Sequence, residues 1–259
     1  MKGEKTVLAY EQFRKTKSDY TLIFLHGSTM TKEGMLPFVK CFNEYDCVVF
    51  DLTHHGASSG DMPASVGDVA TDVEETIVKM QKDGILQEKV VLLGYSMGGA
   101  IAYEVALRKK AKLDAIVFLS SGADLQHHTP MVDQLKNMPV DQFALENIVD
   151  VLFGTLADQE KKEEIKSLFL KNSVENAIGY NDLMISNAYN RIEYAKEIQI
   201  PTLLVQGCDD QIVLPSAAIE TWAHIKGSQL LMLPYGGHAL IFEESLSVSQ
   251  EIKRFVERL

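Results

Sequence analysis

The sequence predicts an α/β fold with a doubly wound, mostly parallel sheet and an inserted helical cap. Short apolar runs recur along the chain, and their continuous apolarity is typical of strands with helices on both faces. Amphipathic helical patterns separate most of these runs, and strands that alternate with helices favour a parallel sheet. One stretch of about 70 residues lacks such a run, and its length far exceeds an ordinary connection.

Six apolar runs are the predicted strands, and they are rich in the branched and aromatic side chains that suit buried strands. In chain order they cover residues 21–25, 47–50, 90–93, 115–119, 202–205 and 230–233. Helical patterns cover residues 66–82, 97–110 and 251–259. In the first helix, apolar side chains recur three or four positions apart from Val69 to Met80, so they share one face.

The stretch at residues 124–195 contains helical patterns but no convincing strand run. Connections within α/β units usually take about 2 to 6 residues, so an inserted cap is favoured over two ordinary crossover helices. The predicted core is then residues 1–123 and 196–259, with the cap at 124–195. The cap side chains that are candidates to line a pocket, or else to pack on the core, are Met131, Met138, Phe143, Phe153, Leu168, Phe169, Met184 and Tyr189.

The composition excludes several classes of protein. With 259 residues, of which 46% are hydrophobic and 24% charged, the chain suits a globular protein rather than a disordered one. Its formal charge of -11 opposes binding to phosphate backbones and anionic lipid. We therefore expect a small-molecule substrate, with no nucleic-acid partner and no membrane partner.

The cysteines and the N-terminus predict where the protein is found. Cys41, Cys47 and Cys208 are too few and too scattered for a disulfide framework or a four-thiolate metal site. No apolar signal segment opens the chain, and no run approaches the roughly 18 to 20 apolar residues of a membrane span. These features predict a reduced, cytoplasmic protein.

The most informative stretch is a strand pattern, then Gly94-Tyr95-Ser96-Met97-Gly98, then a helix pattern. The two glycines leave the space that a sharp strand-to-helix turn requires, so Ser96 is lifted above the sheet edge as a nucleophile. The helix that starts at Met97 points its unpaired N–H groups at Ser96, and the Met97 amide is placed to donate to an oxyanion. The glycine spacing matches neither a dinucleotide fingerprint nor a phosphate loop.

A serine hydroxyl attacks poorly unless a base accepts its proton and a carboxylate orients that base. His238 lies in a glycine-flanked loop after the last predicted strand, where its ring would overhang the strand ends. Two aspartates compete as the orienting acid after the strand at 202–205. Asp210 is favoured because it lies three residues past the turn at Gly207, whereas Asp209 suits a capping or solvated position.

At these residues the chain resembles the α/β-hydrolase family, in its cap-bearing branch of small esterases and lipase-like hydrolases. The nucleophile, acid and base follow the family's chain order. In addition, His26-Gly27-Ser28 is similar to the family's oxyanion loop, and residues 51–58 resemble its next post-strand loop. The resemblance implies acyl transfer by Ser96, His238 and Asp210. It also implies that the amides of Ser28 and Met97 are the oxyanion donors.

One block departs from the family pattern. The post-strand loop usually reads Arg-Gly-His-Gly, whereas this chain has Thr53-His54-His55-Gly56, so the usual arginine contact is not carried over. The pairs His54-His55 and His127-His128 do not favour a metal site, because adjacent side chains diverge. We expect His26 to hold the oxyanion loop by hydrogen bonding rather than to catalyse.

These observations predict a serine hydrolase that cleaves a small carboxylic ester through an acyl-enzyme, without cofactor or metal. The same three residues would also serve hydrolysis of a thioester, a lactone or a carbon–carbon bond. A non-catalytic small-molecule receptor on the same fold is the alternative from another class. A dehalogenase or epoxide hydrolase is disfavoured, because it would need a carboxylate where Ser96 stands.

Overall fold

A computed structural model of the protein describes residues 7–14, 18–126, 134, 137, 145 and 148–259. Seven strands form one sheet within these residues. The strands are β1 (Tyr10–Phe13), β2 (Tyr20–Leu25), β3 (Asp46–Phe50), β4 (Lys89–Tyr95), β5 (Ala115–Leu119), β6 (Thr202–Gly207) and β7 (Gln229–Leu233). Their spatial order is β1-β3-β2-β4-β5-β6-β7. Strands β2 to β7 pair in parallel, and β1 pairs antiparallel to β3, which confirms the predicted mostly parallel sheet.

All six predicted strands are present, with ends within two residues of those expected from the apolar runs. Strand β1 was not predicted. It lies at the edge of the sheet, its four residues are only half-buried, and it therefore carries polar side chains that break up an apolar run. The ring of Tyr10 packs edge-on against Phe50 at 6.2 Å between centroids, which covers that end of β3.

The helices whose full length the structure describes are α1 (Lys32–Val39), α2 (Val66–Lys82), α3 (Met97–Arg108), α4 (Gln159–Lys171), α5 (Asn176–Asn187), α6 (Pro215–His224), α7 (Leu240–Glu243) and α8 (Ser245–Val256). Helix α3 ends before the expected residue 110 because Lys109 is left-handed, with φ 58°. The expected helix at 251–259 was wrong in its bounds. Helix α8 begins at Ser245, and its buried face already includes Val248 and continues to Val256.

Helices cover both faces of the sheet, as a doubly wound fold requires. Helices α2, α3 and α6 pack on one face, and α1, α7 and α8 pack on the other. Successive residues of β2 alternate between the two layers: Ile23 and Leu25 enter the first, and Leu22 and Phe24 enter the second. Both faces of the central strands are therefore buried, which explains why their sequence runs are continuously apolar.

Between β5 and β6 the described residues contain α4, α5 and two short 3-10 segments, Val149–Leu152 and Ile192–Glu197, but no strand of the sheet. The two ends of this region lie side by side, because Leu125 N donates to Tyr189 O at 2.9 Å and Arg191 N donates to Ala123 O at 2.8 Å. The cap limits at 124 and 195 stay a prediction. In the described part of the chain, no helix has the length and apolarity to cross a membrane.

Candidate active site

Ser96 lies between β4 and α3 in a strained backbone conformation. Its φ is 52° and its ψ is -120°, a combination that a non-glycine residue adopts only when its surroundings impose it. A Cβ on Gly94 would lie 2.1 Å from Gly98 O, and one on Gly98 would lie 2.5 Å from Leu25 O. The two glycines therefore let α3 approach the strands closely enough to form the turn.

His238 follows β7 and lies beside Ser96. Its Nε2 is 3.0 Å from Ser96 Oγ, and its side chain is buried. Its loop is fixed at two points, since Tyr95 Oη donates to His238 O at 3.1 Å and Gly237 N donates to Glu243 Oε1 at 3.1 Å. Glu243 also accepts from Gly154 N at 3.0 Å, and burial raises the pKa of this carboxyl.

Asp210 lies on the other side of the imidazole. His238 Nδ1 is 2.9 Å from Asp210 Oδ2, which leaves Nε2 as the acceptor for the Ser96 hydroxyl. The other contacts of the carboxylate are the amides of Ile212 and Val213, both at 2.9 Å from Oδ1, and Gln206 Nε2 at 2.9 Å from Oδ2. A buried carboxylate needs such partners, so this loop fixes the Asp210 carboxylate beside His238.

Asp209, the competing acid, points elsewhere. Its Oδ2 accepts hydrogen bonds from the hydroxyl and the amide of Thr155. These bonds lower the pKa of the Asp209 carboxyl. The structure therefore brings Asp210, and not Asp209, to His238.

The two predicted oxyanion donors flank Ser96. Met97 is the first residue of α3, and the first amides of a helix have no partner within it. Ser28 lies in the loop after β2 and lines the same pocket as Ser96. A Cβ on Gly27 would lie 3.2 Å from the Cβ of Ser96, so this loop comes into close contact with Ser96.

His26 makes hydrogen bonds with both of its ring nitrogens at the start of the loop that carries Ser28. Leu52 N donates to His26 Nε2 at 3.1 Å, and His26 Nδ1–H donates to Gly27 O at 2.8 Å. The ring is fully buried, and burial, together with the nearby His55, lowers its pKa to about 3. The neutral ring joins the loop after β2 to the loop after β3.

Acid is expected to destabilise the protein in part through His26. In the unfolded chain this histidine binds a proton near pH 6.5, whereas in the folded protein it does so only near pH 3. The unfolded state therefore binds more protons in that window, and stability falls as the pH falls. His26 accounts for a loss on the order of 3 kcal/mol between roughly pH 6.5 and pH 4. Denaturant titrations of the wild type and His26→Gln should show a shallower acid loss in the variant; equal slopes would contradict this.

A mostly apolar pocket with a cavity volume of about 80 Å³ lies beside Ser96. Among the lining residues in the described part of the chain, none is charged. They are Ser28, Thr29, Tyr95, Ser96, Leu125, Leu145, Ile148, Leu152, Phe169, Leu183, Met184, Ser186, Asn187, Ile212, Val213 and His238.

Two of the cap side chains considered from the sequence, Phe169 and Met184, line this pocket. Phe153, Leu168 and Tyr189 do not. The remaining candidates, Met131, Met138 and Phe143, lie outside the described residues. Leu183 and Ser186, which lie beside Met184 on α5 and also line the pocket, were not predicted from the sequence.

The histidine pair after β3 diverges as expected. His54 Nδ1 contacts Gly60 O at 2.8 Å, whereas His55 Nε2 lies 2.8 Å from Asp182 Oδ2. At the position of the family's arginine, Thr53 Oγ1 donates to Asp72 Oδ2 at 2.7 Å instead. Across the described ranges, no three His, Cys, Asp or Glu side chains gather as a metal site; His127 and His128 lie outside those ranges.

The sequence and fold have known relatives. Residues 16–245 match the family described as serine aminopeptidase, S33. A pimeloyl-(acyl-carrier protein) methyl ester esterase of Nitrosospira multiformis is 27% identical, with 84% of this chain and 87% of that protein covered. A proline iminopeptidase of Saccharolobus solfataricus is 23% identical, with 96% and 89% covered. A lipase-esterase related protein from Clostridium acetobutylicum ATCC 824 has a crystal structure that superposes with a TM-score of 0.85 at 27% identity, covering 96% of this chain and 99% of that one.

The family match spans most of the chain and includes every loop that carries a predicted site residue. The superposition likewise covers nearly the whole of both chains. The predicted fold and family are therefore confirmed: this chain belongs to the serine aminopeptidase S33 family of α/β hydrolases.

Proposed function

We propose that this hydrolase cleaves carboxylic esters, with Ser96 as nucleophile, His238 as general base and Asp210 as the residue that orients the imidazole. The observation that carries the proposal is the continuous line of contacts from Ser96 Oγ to His238 at 3.0 Å and from His238 to Asp210 at 2.9 Å. A neutral imidazole held in this way accepts the hydroxyl proton as the oxygen attacks.

The reaction follows from these positions. Ser96 Oγ attacks the ester carbonyl while His238 Nε2 takes its proton, and the carbonyl oxygen becomes an oxyanion between the amides of Ser28 and Met97. One such donor contributes about 3 to 4 kcal/mol to the transition state. His238 then protonates the leaving alcohol, and an acyl-enzyme remains. Water, deprotonated by the same ring, releases the carboxylic acid and restores Ser96.

The pocket supports an uncharged, apolar acyl group as the substrate. An aminopeptidase must bind the ammonium group of a peptide N-terminus, and a buried cation needs a carboxylate partner. The described pocket lining offers none. The ester activity in the name of the Nitrosospira relative also favours an ester. We propose a small-molecule ester as the partner, and we expect neither nucleic acid nor membrane to bind a chain of charge -11.

A fluorophosphonate probe followed by a panel of p-nitrophenyl esters tests the proposal. The probe should label Ser96 in the wild-type protein, because it reacts with an activated serine. Along the panel, kcat/KM should rise by about fourfold for each added methylene until the pocket is filled, which corresponds to about 0.8 kcal/mol per buried CH₂.

Three outcomes would contradict the proposal. A folded protein that the probe leaves unlabelled would favour the non-catalytic receptor. The probe could label Ser96 while the protein turns over a thioester, a lactone or an amino-acid p-nitroanilide and no ester. The substrate class would then be that of the compound turned over. If kcat/KM does not change with acyl length, the apolar pocket beside Ser96 is not the acyl site.

A further inference from the structure

The loop that carries Ser28 is held in place by the region between β5 and β6. Thr29 N donates to Asp182 Oδ2 at 2.9 Å, and Val174 N donates to Thr29 O at 2.9 Å. An isolated bridge pairs Met30 with Ser173. The oxyanion loop is therefore fixed along one side by residues that do not belong to the sheet.

Thr29 needs such support. Its φ is 67°, a left-handed conformation that disfavours a β-branched side chain. A residue in this conformation stays there only when its neighbours hold it. Because Thr29 follows Ser28 directly, any relaxation of its backbone would turn the Ser28 amide.

Asp182 is the side chain that makes this contact. It lies on α5 and is fully buried. The same oxygen that accepts from Thr29 N is 2.8 Å from His55 Nε2, and His55 Nδ1 is 2.8 Å from Thr53 O. Both ring nitrogens thus face acceptors, so the ring donates from both and carries a positive charge.

The electrostatics of His55 agree with this geometry. Burial lowers its pKa, but the hydrogen bond and the charge of Asp182 outweigh burial, and the net shift is upward. The titratable groups that face the ring are Asp182 from α5, His26 from the loop after β2 and Asp51 from the end of β3. His26 stays neutral, so Asp182 and His55 form a buried ion pair.

This buried ion pair is not expected to stabilise the folded protein. Burying two charges costs desolvation energy that their attraction only partly returns. In addition, Asp182 Oδ1 is buried with no hydrogen-bond partner, which is a further cost. A costly buried group that fixes a strained loop beside a nucleophile is typical of a functional role.

Helix α5 also contacts the substrate side of the site. Leu183, Met184 and Ser186 line the pocket, and Ser186 Oγ is 3.3 Å from Ser28 Oγ. Asp182 and Ser186 are four positions apart, so they lie on one face of the helix. One helix therefore contacts both the acyl pocket and the loop of the oxyanion donor.

We propose that Asp182, paired with His55, is a positioning residue for ester hydrolysis: it holds Thr29 so that the Ser28 amide points at the oxyanion. This inference rests on the proposed function. Asp182 acts through the loop and does not touch the substrate. The contact it supports is made only in the transition state, so its loss lowers kcat rather than raising KM.

Steady-state kinetics of Asp182→Asn on p-nitrophenyl butyrate test the proposal. Asparagine keeps the shape of the side chain but removes its charge. Removing an entire oxyanion donor costs about 100- to 1000-fold in kcat, so a displaced donor should cost about 10- to 100-fold, with KM within about threefold of wild type. The affinity for a trifluoromethyl ketone, which forms a tetrahedral oxyanion adduct, should fall in parallel.

Asn181→Ala is the matched control. Asn181 is the neighbour of Asp182 on α5, and its side chain donates to Pro63 O at 3.0 Å. This variant weakens the attachment of α5 without touching the oxyanion loop, so kcat should stay within about twofold of wild type. His55→Gln serves as a second test variant, and it should lower kcat in the same direction as Asp182→Asn.

The outcomes separate this inference from the proposed function. If the wild-type protein shows neither probe labelling nor ester turnover, the proposed function itself is wrong. An active wild type whose Asp182→Asn variant keeps its kcat, or loses no more than Asn181→Ala, would overturn the role of Asp182. If Asp182→Asn does not fold, His55→Gln decides by the same criterion, with kcat expressed per fluorophosphonate-labelled site.

Discussion

Replacing Ser96 with alanine is expected to lower the turnover of a p-nitrophenyl ester by about a millionfold, to the level left by binding and the oxyanion donors alone. The hydroxyl oxygen that His238 would activate at 3.0 Å is then absent, and nothing else at that position can form the acyl-enzyme. The folded structure should be retained, because alanine removes one oxygen and keeps the Cβ in the same place.

The measurement is kcat on p-nitrophenyl butyrate, together with the thermal midpoint Tm. Ser247→Ala, at an exposed serine of α8, is the control and should match wild type in both. Alanine has a Cβ like serine, so the backbone strain of φ 52° is the same in the variant and in the wild type. Tm should therefore change little. Ester hydrolysis by Ser96→Ala at more than a trace of the wild-type rate would show that the nucleophile lies elsewhere.

The second large effect is expected for Asp210→Asn, which should lower kcat by about ten-thousandfold. The asparagine amide would donate to His238 Nδ1 where the carboxylate now accepts at 2.9 Å. The ring would then carry its proton on Nε2, facing Ser96, and could not accept the hydroxyl proton. The fold should persist, since the side-chain oxygen can still accept from the amide of Val213.

Asp209→Asn is the matched comparison, since it makes the same chemical change one residue away. Its carboxylate contacts Thr155 rather than the imidazole, so kcat should change by no more than about threefold. Measuring kcat/KM of both variants from pH 5 to pH 9 on one substrate distinguishes them. A larger loss for Asp209→Asn than for Asp210→Asn would reverse the assignment of the acid.

Much of the fold could be predicted because the central strands, β2 to β6, are buried on both faces. Each of them contains a continuous apolar run, and such a run is visible without knowledge of its neighbours. Strand β1 was missed because it is a half-buried edge strand in a stretch of mixed charge. The start of α8 was missed because its first turn is rich in serine, which gives a weak helical signal.

The site was predictable for a topological reason. Ser96, Asp210 and His238 follow β4, β6 and β7, and the carboxyl ends of parallel strands meet at one edge of a sheet. The pair of His55 and Asp182 has no such signal, since Asp182 lies on helix α5 and not at the carboxyl end of a strand. The pocket was only partly predictable, because helical spacing does not distinguish side chains that face a cavity from those that face the core.

The contacts of the region between β5 and β6 have a consequence for engineering. Glu243 joins Gly154 of this region to Gly237, next to His238, while Asp182 of the same region holds Thr29. Exchanging this segment for one from a relative would thus disturb the loop of His238 and the loop of Ser28 together. Glu243 lies outside the exchanged segment, so a chimaera needs a backbone N–H that still donates to Glu243 and a carboxylate in place of Asp182.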